Sequence, residues 1–412
     1  MLSLRPEDPK AVMPFAKRLL RLSGFSPGTE QLGRCIYVNL SIYITVILVP
    51  KVCFPYPNTE AMIRGLGELI YFTNVYVGFF CFVVQHRHYR DLLDEIQSFV
   101  NIVYPTSQQP ESLSERTLIK LNVKINILSV LYCRYIVVAA FIYWMVPCVV
   151  TYSSIHKAEV SMGNESIQSI QYYPNLEESF YWLDNRSSVS GYAAFSAVAL
   201  IVFAFASYNH VTKLLTILST IKYCSTLFHL VSIGIDELNL VSPAHIDREL
   251  KKLIQMHQLA IRYATSTGRI VSQRQKMTIF LTYHFRSCDV LLNQTLSYVM
   301  ALQLALGTLT WCFTLLYILI IGLDVTAMMG LLIMMNMTSE MFGYCLFCTE
   351  LTNTATTISQ QIYVFQWEKH SPAVQKMVAM IIARGQAPLQ IKACGFIPIN
   401  LELFAKVSSS GS

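Results

Sequence analysis

Few side chains in this 412-residue chain stand in patterns that do chemistry. Cys345 and Cys348 have the C-x-x-C spacing of a thiolate metal site, but they lie in an apolar run with no second pair or histidine near them. Structural zinc takes four ligands, so no metal or other cofactor is expected. His257 sits among Leu253, Ile254, Leu259 and Ile261 and reads as a packing residue rather than a base. No Ser-His-Asp set and no paired carboxylates stand out, so no catalytic residue and no enzyme are expected. The residues that need a reason are ionisable groups inside apolar runs: Glu68, Arg134 and Glu340. A charge at the centre of a membrane helix costs about 2.5–3.5 kcal/mol on insertion scales. Such a group survives where it has a partner or a role. An Arg134–Glu340 ion pair would neutralise both, and Glu68 is expected at the outer interface, within reach of water.

The elements that carry these groups follow from composition. Hydrophobic residues are 53% of the chain and charged ones 14%, with a mean hydropathy of +0.44. A soluble domain carries about 25% charge, so this chain cannot cover a water-facing surface. Disorder and secreted disulfide scaffolds are excluded on the same ground. A bilayer-crossing helix needs about 20 mostly apolar residues, and six segments qualify: 35–54, 66–84, 125–150, 189–207, 298–322 and 325–348. Only Leu323-Asp324 separates the last two, which predicts a tight antiparallel hairpin. The arm 1–34 is polar and too long for a charged leader, so 35–54 is expected to be a true crossing. The fold class is therefore an all-α polytopic membrane helix bundle.

Lysine and arginine set its direction. The arm carries six of them, 85–124 five and 208–297 ten. The loop 151–188 holds Lys157 and Arg186 against Glu159, Glu165, Glu177, Glu178 and Asp184. It also holds sequons at Asn164 and Asn185, expected glycosylation sites on an outer face. Both signals put the N-terminus in the cytoplasm, opposite to G-protein-coupled receptors. The net charge of +6 is then topology, and no nucleic-acid partner is expected.

Beyond the fourth span, apolar residues continue through Val211, Leu214, Leu215, Ile217 and Leu218, and 235–263 has an amphipathic pattern. The region 208–297 therefore reads as a cytoplasmic helical extension, and 373–384 as a short amphipathic helix closed by Gly385. The segment 391–407 is too broken to span, and 408–412 looks like a linker belonging to no helix.

The C-terminal third then resembles the signature of insect odorant receptors. It carries Phe342-Gly343-Tyr344-Cys345, Glu350-Leu351-Thr352, Ile362-Tyr363, Trp367, the helix 377–384 and Gln386-Ala387-Pro388. Cys394-Gly395-Phe396-Ile397-Pro398-Ile399 and Leu401-Glu402-Leu403-Phe404 follow, while 253–261 with His257 is similar to the family's cytoplasmic helix. The resemblance implies an inverted seven-helix receptor: arm 1–34, membrane helices 35–207, an anchor region 208–297, a hairpin 298–349, and an anchor helix with the start of helix 7 at 350–407. It implies a ligand-binding subunit that assembles with a co-receptor into a heterotetrameric, non-selective cation channel opened by small volatile odorants. The implied location is the plasma membrane of a sensory dendrite. The family pattern continues past Phe404 into a pore-lining helix that is expected to be missing here, and 266–289 matches poorly. A gustatory receptor of the same architecture is the related alternative. A secondary transporter is the other, though no inverted repeat is visible.

The implied pocket lies in the outer half of the bundle. Inward-facing candidates there are Tyr71, Asn74 and Val75; Ala140, Tyr143 and Trp144; Tyr192, Phe195 and Ser196; and Leu332, Met335 and Asn336. Aromatic and Met surfaces suit a ligand with few polar atoms, and one or two hydrogen bonds would orient it.

Overall fold

The computed structural model describes residues 11–23, 34–84, 86–104, 113–161, 170–238, 245–261, 287–385 and 389–410. They form a mostly helical bundle. A short amphipathic helix, α1 (Pro14–Leu22), precedes α2, which consists of Arg34–Ile42, a π-helical stretch Tyr43–Leu48 and Val49–Cys53. The widened turns come just before Pro50, which has no N–H to continue the α-helical ladder. Then follow α3 (Thr59–Val84), α4 (His86–Val103), α5 (Leu113–Ser161), α6 (Val189–Leu238) and α7 (Ile246–Ile261). The chain continues through α8 (Ser287–Ile321), α9 (Val325–Val364), α10 (Pro372–Gly385) and α11 (Leu401–Ser410). Before α11, Lys392–Ala393 pairs antiparallel with Ile397–Pro398.

Among the described residues, five helices are long and apolar enough to cross a bilayer: the stretches Ile36–Cys53, Leu113–Val160, Val189–Leu238, Leu296–Ile321 and Val325–Val364. The second expected span, 66–84, forms the later part of α3, with Glu68 as its one charged residue. The expected hairpin is present. Gly322 adopts φ 94°, and Asp324 caps α9 by accepting from the Ala327 amide at 2.6 Å.

The helices outrun their apolar segments. At 1.5 Å per residue, the 49 residues of α5 and 50 of α6 reach about 74 Å, more than twice a bilayer core. Helix α5 consumes eleven residues assigned to the outer loop, and α9 absorbs the mixed stretch as far as Val364. The single amphipathic helix expected over 235–263 is two elements. Ile235 and Leu238 finish α6, and α7 begins at Ile246. The supposed linker is helical through Ser410, because Leu401–Ser410 starts on Asn400, whose side chain accepts from the Leu403 amide at 2.8 Å.

Two cores result. One surrounds the long ends of α6 and α9 with α4, α7 and α10, and includes Phe99, Tyr223, Phe228, Leu250, Ile358 and Val378. The other joins α2, α3, α5, α6 and α9 near the 170–188 loop, around Phe72, Val75, Phe195, Ala199 and Phe203. Helix α8 packs along α3, and α9 packs along α6.

Candidate functional site

Four helices enclose a cavity inside the second core. Helix α5 presents Ile136, Ala139, Ala140 and Tyr143, a 3–4–7 spacing that puts all four on one face. Helix α6 presents Phe203, Ala206 and Ser207, α9 Leu332, Ile333 and Asn336, and α3 Tyr71 and Phe72. About 470 Å³ of space lies between these side chains, its open side included. Ala139, Ala140 and Ala206 leave the room, while Phe203 stacks on Phe72 at 6.1 Å and meets Tyr143 edge-on at 5.2 Å. Ser207 spends its hydroxyl on the Phe203 carbonyl at 2.7 Å. Asn336 is 7% exposed, and its Oδ1 has no hydrogen-bond partner among the described residues.

Five of the twelve sequence candidates line this space: Tyr71, Ala140, Tyr143, Leu332 and Asn336. The other seven do not. Trp144 donates from Nε1 to the Ser196 carbonyl at 2.8 Å, and Ser196 donates to Asn175 Oδ1 at 2.8 Å. Tyr192 donates to the Tyr173 carbonyl at 3.1 Å, and Phe195 packs on Phe180 at 5.4 Å. These four fasten the 170–188 loop. Val75 is fully buried in the core, Asn74 reaches Met337 Sδ at 3.1 Å, and Met335 faces outward at 62% exposure. The cavity lies about three turns further along α6 than Tyr192, Phe195 and Ser196, at Phe203, Ala206 and Ser207. Their signal was available as two small residues beside a Phe at helical spacing.

One helical turn beyond Asn336 and Ser207 lies a buried polar cluster. Glu340 is 1% exposed and pairs with Lys213 at 3.0 Å. It also accepts from the Tyr344 hydroxyl at 2.7 Å and faces His210 at 3.6 Å. Lys213 donates on to Gln303 Oε1 at 2.7 Å, and the His210 ring meets the Tyr132 hydroxyl at 3.1 Å. Gly78 gives Gln303 its approach to α3, since a Cβ there would sit 2.3 Å from Nε2. The expected Arg134–Glu340 pair is therefore not the arrangement. Arg134 lies on the exposed side of α5, and the cation for Glu340 comes from α6. Lys213 escaped notice because it follows Ser207 by six residues and reads as a loop charge, whereas α6 runs through it unbroken.

At the loop end a second buried network surrounds Glu68, which is 4% exposed and not at the interface as expected. Lys51 lies 2.7 Å from Glu68 and 3.5 Å from Glu178, and Arg64 lies 2.9 Å from Glu68 and 3.1 Å from Glu177. The Glu177 amide donates to Glu68 at 2.8 Å, and Arg186 closes on Glu177. These contacts tie α2 and α3 to the loop. Burial pushes the Glu178 carboxyl up to about 8, with Lys51 pulling it back. Hydrogen bonds from Ser187 and the Arg186 amide hold Asp184 below its ordinary value. A second cavity, of about 430 Å³ with its open side included, adjoins this network and shares Tyr143 and Ile333 with the first. Asn185 is 3% exposed and donates to the Glu178 carbonyl at 3.1 Å. The sequon amide is therefore turned into the loop and not toward solvent, where the expectation had it. Asn164 lies outside the described residues.

Comparison with known proteins follows the same lines. The family model described as 7tm Odorant receptor matches residues 58–410. Odorant receptor Or2 of Anopheles gambiae is 24% identical over 159 residues, 39% of this chain and 35% of that receptor's length. Among solved structures, olfactory receptor OR5 of Machilis hrabei superimposes with a TM-score of 0.63 at 13% identity, covering 96% of this chain and 94% of that one. Its complex with eugenol gives 0.64 at 13% identity, over 98% and 97%.

Proposed function

Because the chain belongs to the 7tm odorant receptor family, a family of receptors rather than enzymes, we propose that it is a ligand-binding subunit tuned to small volatile organic molecules. The observation that carries this reading is the cavity among α3, α5, α6 and α9. It is walled by aromatic and aliphatic side chains, with few polar groups, inside a multi-pass membrane bundle. Such walls hold a ligand by dispersion and exclusion of water, and a few polar groups turn it. Tyr71, Ala140, Tyr143, Leu332 and Asn336 are the contact residues from the sequence candidates, joined by Phe72, Ile136, Ala139, Phe203 and Ala206.

In this reading the chain assembles with a co-receptor subunit into a heterotetrameric, non-selective cation channel in the plasma membrane of a sensory dendrite, with its N-terminus in the cytoplasm. Ligand opens the channel only to the extent that it binds the open arrangement more tightly than the closed one. The four helices that wall the cavity include α6 and α9, which the Lys213–Glu340 pair joins one turn further along. A ligand that shifts either helix therefore acts on both.

The test is current. Cells expressing the full chain with a co-receptor are challenged with a panel of volatile organic compounds. Ligand-evoked cation current reversing near zero is expected, with at least a tenfold loss of sensitivity in Ala206→Trp at unchanged surface delivery. Full current without any partner subunit defeats the subunit assignment, and an Ala206→Trp variant of unaltered sensitivity defeats the cavity.

A further inference from the structure

Within the cavity, Asn336 is the one lining residue whose buried acceptor is left without a donor among the described residues. Its own helix does not supply one. Leu332, one turn back, is hydrocarbon, and Ser339 donates to the Asn336 main-chain carbonyl at 2.8 Å, not to its amide. Across the space, Phe72, Ile136, Ala139, Ala140, Phe203 and Ala206 carry no polar side-chain atom, and the Tyr71 and Tyr143 hydroxyls that line it do not donate to this oxygen. Ser207 has already committed its proton to the Phe203 carbonyl. A buried amide oxygen with no partner costs roughly 1–3 kcal/mol, and an apolar residue in its place would avoid that cost. A polar group held in this state suits a cavity that is filled by something bringing the missing proton.

We infer that this cavity selects neutral ligands bearing a hydroxyl group, with Asn336 as the residue that reads it. The inference rests on the cavity being the ligand site. A hydroxyl donates to Oδ1 and keeps its own oxygen free to accept, with the Tyr71 phenol lining the same space. An ether or ketone has no proton to give and leaves Oδ1 unpaired. A hydrocarbon leaves the whole amide unpaired. Charged ligands fit less well: Lys213 and Glu340 lie one turn away and already neutralise each other at 3.0 Å, so neither an ammonium nor a carboxylate finds an unmatched counter-ion.

The experiment measures binding directly, by ligand-induced thermal stabilisation of the purified full chain in lipid nanodiscs. The probes are 1-hexanol and 2-phenylethanol, each beside its methyl ether and beside hexane or ethylbenzene. The wild-type chain is expected to prefer each alcohol to its ether by about tenfold, the equivalent of one hydrogen bond to a buried group. Asn336→Leu should erase that preference and strengthen hydrocarbon binding. Asn336→Ser, which keeps a small polar group, should retain part of the preference. Ala206→Trp should weaken all the probes together. An alcohol preference that persists in Asn336→Leu overturns the inference, as does a wild-type chain that binds ethers equally well or binds none of the alcohols. If Ala206→Trp leaves alcohol binding intact, the cavity itself is the wrong site, and that failure is separate from a failure at Asn336.

Discussion

Asn185 shows how far a single residue's environment can depart from its motif. Its sequon is complete, yet the loop folds the amide inward onto Glu178. The same loop carries a carboxyl with a strongly shifted titration. Glu178 is buried beside Lys51 and near Glu68 and Glu177, and burial pushes its carboxyl from an ordinary 4.5 to about 8. An acid whose folded value is raised favours the docked loop while protonated. Docking is therefore strongest below about pH 4.5 and weakens as pH rises through about 8. Hydrogen exchange of residues 174–186, corrected for intrinsic rate, should be faster at pH 9 than at pH 6. Glu178→Gln should flatten that difference; an equal slope in the variant would remove Glu178 as its cause.

Between elements, the buried pair Lys213–Glu340 decides how α6 and α9 are joined. Removing one partner strands a charge at 0–1% exposure, which costs about 3–5 kcal/mol. Removing both lets two apolar side chains pack instead. Lys213→Met is therefore expected to destabilise the chain strongly, and Lys213→Met with Glu340→Leu to recover most of the loss, as read by thermal unfolding in detergent. Arg134→Gln should cost less than Lys213→Met, because Arg134 lies on the exposed side of α5. Additive effects of Lys213→Met and Glu340→Leu would show that the two do not act as a pair. The helix lengths explain why this pair was hidden. A hydropathy reading ends α6 at Ser207, but nothing in the next thirty residues breaks a helix, and its buried face continues through Lys213 to Leu238.

Across the whole molecule, the cavity and the long helical ends belong to different cores. Phe228 is 2% exposed in the core around α4, α7 and α10. It lies 21 residues beyond Ser207 on α6, about 32 Å along the axis. Phe228→Ala should lower unfolding stability by about 3–5 kcal/mol while leaving the alcohol affinity of the folded chain unchanged. A matching loss of affinity would mean that the two cores are not independent. The glycine turn at Gly322 joins the scales, since it reverses the chain in three residues and sets α9 against α8 in the register that puts Asn336 in the cavity.

Composition and hydropathy were enough to establish a membrane helix bundle, the start of α6 at Val189 and the hairpin at Leu323-Asp324, because apolar length and a breaker are local properties. The motifs from Phe342 to Phe404 were enough to place the chain in its family. Which face of each helix looks inward, and at what depth, was decided only by tertiary packing. Asn336 and Met335 are neighbours in sequence, yet one lines the cavity and the other is 62% exposed. A helix turns 100° per residue, so apolar runs that are hydrophobic all round carry no mark of their buried side. The partner of Glu340 was likewise undecidable locally, because a cation 127 positions away in sequence becomes its neighbour only when α6 and α9 pack.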